Sequence, residues 1–128
     1  MLIAALVFAG LAALVHVYIF VLETLRWEAP RTRQIFGTSE QDARITRPLA
    51  ANQGVYNLML AIVTAAGIAL AFPSPAAGTA LLLAGTGSML GAALYLAATD
   101  RTKLRPATTQ GLFPLLAVLF TLLALALG

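Results

Sequence analysis

Residues 2–25 read LIAALVFAGLAALVHVYIFVLETL, a run in which most side chains are apolar. His16 and Glu23 are its only acidic or basic side chains. A helix of this length is about 36 Å long, and the hydrocarbon core of a bilayer is about 30 Å thick. The run is continuously apolar, whereas a strand of a membrane β-barrel alternates apolar and polar residues. We therefore expect a membrane-spanning helix.

Three comparable runs follow, at about 48–72, 75–98 and 106–128. The chain is therefore predicted to be one all-α transmembrane domain, 1–128, in which four helices form an integral membrane bundle. Composition agrees, because 60% hydrophobic and 10% charged residues exclude a soluble monomer and a disordered chain. The chain has no cysteine and one histidine, which excludes disulfides and Cys-based or His-rich metal sites. No metal site is indicated.

Prolines and helix-capping residues indicate the limits of the spans. Pro48, Pro75 and Pro106 are expected in the first turn of their helices, where a missing N–H costs nothing. Ser39 with Asp42 three residues later, or Thr38 with Gln41, resembles a capping box. This pattern predicts a short interfacial helix over about 39–46 in the first loop, running into the second span.

The basic residues predict the orientation. All eight lie in the first and third loops, which share one side of a four-span chain: Arg26, Arg31, Arg33, Arg44, Arg47, Arg101, Lys103 and Arg105. The positive-inside rule places that side in the cytoplasm and both termini outside it, in a multi-pass protein of the plasma (inner) membrane. Trp27 fits an aromatic anchor at the same interface. The loops carry few charges in total, so we expect them against anionic lipid headgroups rather than nucleic acid.

Polar side chains are costly in lipid and should face protein, water or a ligand. Four of them lie within about 140° of the second helix, early in its span. The topology places others at the same level, so we expect a polar pocket on the cytoplasmic side beneath an aliphatic plug. The candidate binding residues are Glu23, Arg47, Asn52, Gln53, Tyr56, Asn57, Tyr95 and Gln110.

Each of these residues also has a structural interpretation. Glu23 could face a site and pair with Arg47 or with the amides of Asn52 and Asn57, or it could lie at the interface beside Arg26. His16 is better explained as a hydrogen-bonded packing residue than as a proton carrier. The amides of the second span could line a pocket or only join helices. In the third span, the spacing of Gly87 and Gly91 predicts close helix packing, within the bundle or between copies of a homo-oligomer.

Three segments carry a resemblance to a known family: HVYIFVLE (16–23), WEAPRTRQIFG (27–37) and AANQGVYN (50–57). The chain resembles the domain of unknown function 1304 family, small membrane proteins expected to have four helices. A second similarity is to the four-helix membrane proteins of eicosanoid and glutathione metabolism. It would match Arg47 and Asn52, but Val55 stands where those proteins carry a glutamate.

Three functions are compatible with these observations. The first is binding of a small polar or amphipathic molecule in the cytoplasmic pocket. The second is a glutathione- or lipid-metabolising enzyme that uses Glu23 as general acid or base, with Tyr56 or His16 assisting. The third is a structural or assembly subunit. The identity of the ligand and of any cofactor cannot be read from the sequence.

Overall fold

The computed structural model describes residues 1–128 and contains only helices. The helices are α1 (Leu2–Phe20), α2 (Pro30–Phe36), α3 (Glu40–Leu70), α4 (Pro75–Thr99) and α5 (Leu104–Leu127). A π segment, Val21–Leu25, continues α1, and a 3₁₀ turn, Arg101–Lys103, precedes α5. Four segments are long and apolar enough to cross a membrane, which confirms the prediction of an all-α chain with four such helices.

The four long helices form a ring in which neighbours run antiparallel. Helix α1 packs on α3 and α5, and α4 packs on the same two helices, while α1 and α4 barely touch across the ring. The end of α1, the start of α3, the end of α4 and the start of α5 therefore share one end of the bundle. All eight basic residues lie there, and we call it the basic end.

The interior of the bundle is built from small residues. The buried positions are mainly alanine, glycine and threonine in every long helix, with Leu82 and Met89 among the few large ones. Large aliphatic side chains instead point outward, as Leu14 does with 67% of its surface exposed. Lipid removes the hydrophobic drive to bury leucine, so close contact between small residues holds such helices together. This pattern is typical of a membrane protein.

Glycines allow α3 and α4 to touch along their backbones. A Cβ at Gly67 would lie 2.7 Å from the backbone nitrogen of Leu82, and one at Gly78 would lie 2.7 Å from the carbonyl carbon of Leu70. Gly87 and Gly91, by contrast, have open space where a Cβ would be. The prediction that these two pack within the bundle is wrong, because they face away from the neighbouring helices. Their contact with a second copy stays a prediction.

Helix α3 starts eight residues earlier than predicted for the second span. The Ser39 hydroxyl accepts a hydrogen bond from the Asp42 amide at 3.1 Å, which confirms the predicted cap. Pro48 lies inside the helix rather than in its first turn. The helix continues through Pro48 because the proline removes only one hydrogen bond, the one to the Arg44 carbonyl. With 31 residues, α3 is about 46 Å long, so its first turns extend beyond a hydrocarbon core of about 30 Å.

The first loop contains a helix that the sequence did not predict at that position. Helix α2 begins at Pro30 and ends at Phe36, and the following residue, Gly37, has a left-handed φ of 65°. The predicted helix over 39–46 exists as the first turns of α3 and is not separate. The Trp27 and Phe36 rings pack at 5.1 Å, and Lys103 donates to the Phe36 carbonyl. These contacts fix α2 over the basic end of the bundle; its position relative to a membrane surface stays a prediction.

The third loop is short and internally bonded. The amide and hydroxyl of Thr102 donate to one oxygen of Asp100, at 3.0 and 2.6 Å. These hydrogen bonds hold the pKa of the Asp100 carboxyl below its usual value. The loop is therefore a fixed turn that places the start of α5 at the basic end.

Candidate functional site

The π segment turns two polar side chains toward α3. The Asn57 amide donates to Glu23 Oε2 at 2.9 Å, and the Thr24 hydroxyl donates to the Ala51 carbonyl at 3.0 Å. Gly54 lies between these bonds, where a Cβ would stand 3.1 Å from Glu23 Cβ and from the Thr24 nitrogen. One extra residue in a helical turn reorients the side chains that follow, and such segments are frequent at functional sites. Here the segment fastens the end of α1 to α3.

Arg47 does not reach Glu23, and the suggestion that the two form an ion pair is wrong. Arg47 lies ten residues before Asn57 on α3, which is about 15 Å along the helix. It pairs instead with Glu28, with 3.7 Å between nitrogen and oxygen. The neighbouring Trp27 donates to the Thr46 hydroxyl at 3.1 Å. These contacts tie the first loop to the outer turns of α3.

Four other predicted binding residues lie on the outside of the bundle. They are Asn52, Gln53, Tyr56 and Tyr95. Tyr56 is 64% exposed and Tyr95 is 72% exposed. The face of α3 that contacts the end of α1 is narrower than the arc of four polar residues on α3, because Gly54 and Asn57 already occupy it at this level. The structure therefore does not bring the eight residues into one cavity, and contact of these four with a ligand stays a prediction.

His16 is buried within the bundle and bonds to its own helix. Its Nδ1 donates to the Ala12 carbonyl at 2.9 Å, the arrangement expected for a packing residue. It lies seven residues before Glu23, hence about 10 Å along the helix. With Tyr56 exposed on α3, the three candidate catalytic groups are not assembled around one point. An enzymatic role for Glu23 stays a prediction.

A separate cavity lies at the basic end, between α1, α2 and the start of α5. Its volume is about 810 Å³, and Gln110 is the one predicted binding residue that lines it. Its apolar floor includes Val15, Ile19 and Leu22 of the α1 segment. Its polar wall consists of Tyr18, Arg31, Gln34, Arg105, Thr109 and Gln110. A molecule there would meet both hydrogen-bonding groups and hydrocarbon.

The cavity continues into a groove between α1 and α5. This groove has a volume of about 480 Å³ and shares Val15, Arg105 and Thr109 with the cavity. Leu112 and Phe113 extend it along α5 away from the basic end. The opposite end of the bundle is closed by the stacked rings of Phe8 and Phe120, 5.6 Å apart, and by small apolar core residues. The space is therefore polar at the basic end and becomes more apolar farther along α5.

The contact between Glu23 and Asn57 lies next to this cavity. Leu22 lines the cavity, and the next residue, Glu23, bonds to α3. Glu23 and Asn57 themselves do not line it, so a role of either residue in binding stays a prediction.

Glu23→Leu is expected to destabilise the fold by about 1 kcal/mol, the usual range for a hydrogen bond between membrane helices. It removes the acceptor that Asn57 uses. Glu23→Gln is the matched control, because its amide oxygen can accept the same bond. Thermal or chemical unfolding in micelles measures both. Equal stability of Glu23→Leu and the parent would show that this contact does not hold α1 against α3.

Sequence reasoning missed the cavity because it missed α2 at its true position. In the sequence alone, Arg31 and Arg105 are loop charges that indicate only the orientation of the chain. The proline at the start of α2 and the glycine just after it were the available signal, since Pro at N1 and Gly at the end are typical helix limits. No group of three His, Asp or Glu side chains in the structure could hold a metal ion.

The comparisons with known proteins give one family. A protein-family model described as protein of unknown function (DUF1304) matches residues 10–122, nearly the whole chain. No curated protein and no solved structure matches it.

Proposed function

We propose a binding function for this chain, which belongs to the DUF1304 family of proteins of unknown function. In this proposal it is a membrane protein that takes up a small amphipathic molecule between α1, α2 and α5. One observation carries the proposal: the cavity of about 810 Å³ has a polar wall and an apolar floor. Ligand pockets of small molecules have this size and combine apolar lining with a few polar groups.

The orientation of the protein follows from its charges. The basic end carries every lysine and arginine, and the opposite end carries none. The positive-inside rule supports a cytoplasmic location of the basic end, with both termini on the other side of the plasma (inner) membrane. The cavity would then open toward the cytoplasmic leaflet, where its ligand would enter from the headgroup region. Gln110 would contact the ligand directly.

Native mass spectrometry of the protein released from a mild detergent tests this proposal. We expect a bound small molecule on the parent protein and at least a tenfold loss of occupancy in Thr109→Trp, because the indole would fill the space that Thr109 borders. Leu94→Trp is the matched control, since Leu94 is 60% exposed on α4, across the ring from α1. Equal occupancy in both variants, or a parent protein that is empty in every mild detergent, would contradict the proposal.

A second candidate is self-association through α4. Between Pro75 and Gly91, this helix exposes no large apolar side chain, whereas α1 and α5 expose several leucines. Gly87 and Gly91 leave open space on that face, and small residues favour close contact between membrane helices. A homo-oligomer of this kind is compatible with ligand binding between α1 and α5.

The absence of cysteine makes the test of self-association clean. Gly91→Cys is expected to form disulfide-linked dimers under mild oxidation in native membranes. A cysteine at Leu14, which is 67% exposed on α1, serves as the control and should stay monomeric. Equal crosslinking at both positions would indicate random collision rather than an α4 interface.

A further inference from the structure

We infer that the cavity selects an anionic amphiphile, whose negatively charged head lies between Arg31 and Arg105 and whose tail follows the groove between α1 and α5. This inference rests on the proposed binding function and adds the chemical class of the ligand. It depends on the charges that line the cavity, on the donors beside them and on the shape of the apolar space below.

The charge of the cavity wall is positive and uncompensated. Arg31 and Arg105 are its only charged side chains, and neither forms an ion pair within the chain. All five acidic side chains have other partners: Glu23 with Asn57, Glu28 with Arg47, Glu40 with Arg44, Asp42 with Ser39 and Asp100 with Thr102. Two guanidinium groups at the rim of an apolar space therefore have no counter-charge from the protein.

The two arginines approach from different elements. Arg31 lies in the first turn of α2, and Arg105 lies in the first turn of α5. A guanidinium group presents several N–H donors in a planar fork that matches carboxylate and phosphate oxygens. Gln34 and Gln110 add neutral donors on the same two elements. An anionic head between α2 and α5 would thus be held from two sides.

The space beneath the arginines suits a hydrocarbon tail. Val15 and Ile19 form its floor, and Leu112 and Phe113 continue it along α5. Arg105 and Phe113 are about 12 Å apart along the helix, which accommodates an alkyl chain of medium length. Val15, Ile19 and Leu22 offer no side-chain hydrogen bond, so a free polar anion would leave this apolar part of the cavity unfilled. An anion joined to an apolar tail uses both parts.

Isothermal titration of the full chain in neutral maltoside micelles tests the inference with three probes. They are dodecyl phosphate, dodecylphosphocholine with the same tail but no net charge, and inorganic phosphate with no tail. We expect dodecyl phosphate to bind at least tenfold more tightly than either of the others. Arg31→Gln and Arg105→Gln should each weaken its binding about tenfold, the usual loss for one charge-assisted hydrogen bond.

Arg101→Gln is the matched control, because it removes the same charge from the same end without touching the cavity. An equal loss in this variant would overturn the inference by showing only general attraction of anions. Equal binding of the phosphate and phosphocholine amphiphiles, unchanged in both arginine variants but lost in Thr109→Trp, would overturn the anionic selectivity and leave the proposed cavity intact. Inorganic phosphate as tight as dodecyl phosphate would indicate a site for free anions and overturn the role of the tail. If Thr109→Trp leaves the binding of every probe unchanged, the proposed cavity itself fails.

Discussion

Gly67→Ala is expected to destabilise the bundle by about 1–3 kcal/mol, as overpacking of a close contact does. The new Cβ would lie 2.7 Å from the backbone nitrogen of Leu82 and 3.1 Å from the Gly78 carbonyl oxygen. Backbone atoms cannot rotate away as a flexible side chain can, so α3 and α4 must separate. Alanine has the higher helix propensity, and this gain of about 0.5–1 kcal/mol opposes only part of the loss.

Gly10→Ala is the matched control for this result. It makes the same chemical change within α1, but its Cβ meets nothing within 4 Å, so we expect equal or slightly greater stability. Unfolding in micelles, followed by circular dichroism, measures both variants. If Gly67→Ala were as stable as Gly10→Ala, α3 and α4 would not approach each other as closely as described.

A single cysteine at Gln41 is expected to react with a membrane-impermeant maleimide only from the cytoplasmic side. One at Ser74 should react only from the opposite side. Gln41 is exposed near the start of α3, and Ser74 is exposed in the turn between α3 and α4. Helix α3 separates the two positions by its full length. The effect is all-or-none, because the reagent cannot cross the intact membrane.

The parent chain provides the background for this labelling, since it has no cysteine. Labelling of intact cells and of inverted membrane vesicles reports the two sides separately. Reaction of both positions from one side would contradict the crossing of α3. Reaction of each position from the side opposite to the expected one would contradict the orientation drawn from the positive-inside rule.

The sequence predicts the helical spans well because its signal is long and repeated. Runs of more than 20 apolar residues identify spans with little interference from local preference. Pro75 begins α4 as predicted, and Ser39 caps α3 as predicted. Pro48 misleads, because a proline near a span suggests a start, while the capped helix tolerates one missing hydrogen bond and continues through it.

The candidate site is predicted less well than the fold, for a reason of geometry. Glu23 and Asn57 are correctly placed at the same level, and they do meet. The sequence shows which residues share a helix face, but it does not show which part of that face contacts a neighbouring helix. It therefore predicts Tyr56 inside the bundle, although Tyr56 lies outside. The π segment also shifts the register after Phe20, and no residue in the sequence marks it. Arg31 lines the cavity only because of where α2 lies in the fold.

In the proposed function, an amphipathic molecule occupies the cavity between α1, α2 and α5. Isoleucine methyl groups report its position, because Ile19 and Ile35 line the cavity and the chain's other isoleucines do not: Ile3, Ile45, Ile62 and Ile68. In deuterated maltoside micelles, nuclear Overhauser effects from protonated dodecyl phosphate are expected at the methyl groups of Ile19 and Ile35 and not at the other four. Contacts confined to Ile62 and Ile68, or spread evenly over all six methyl groups, would contradict the proposed function.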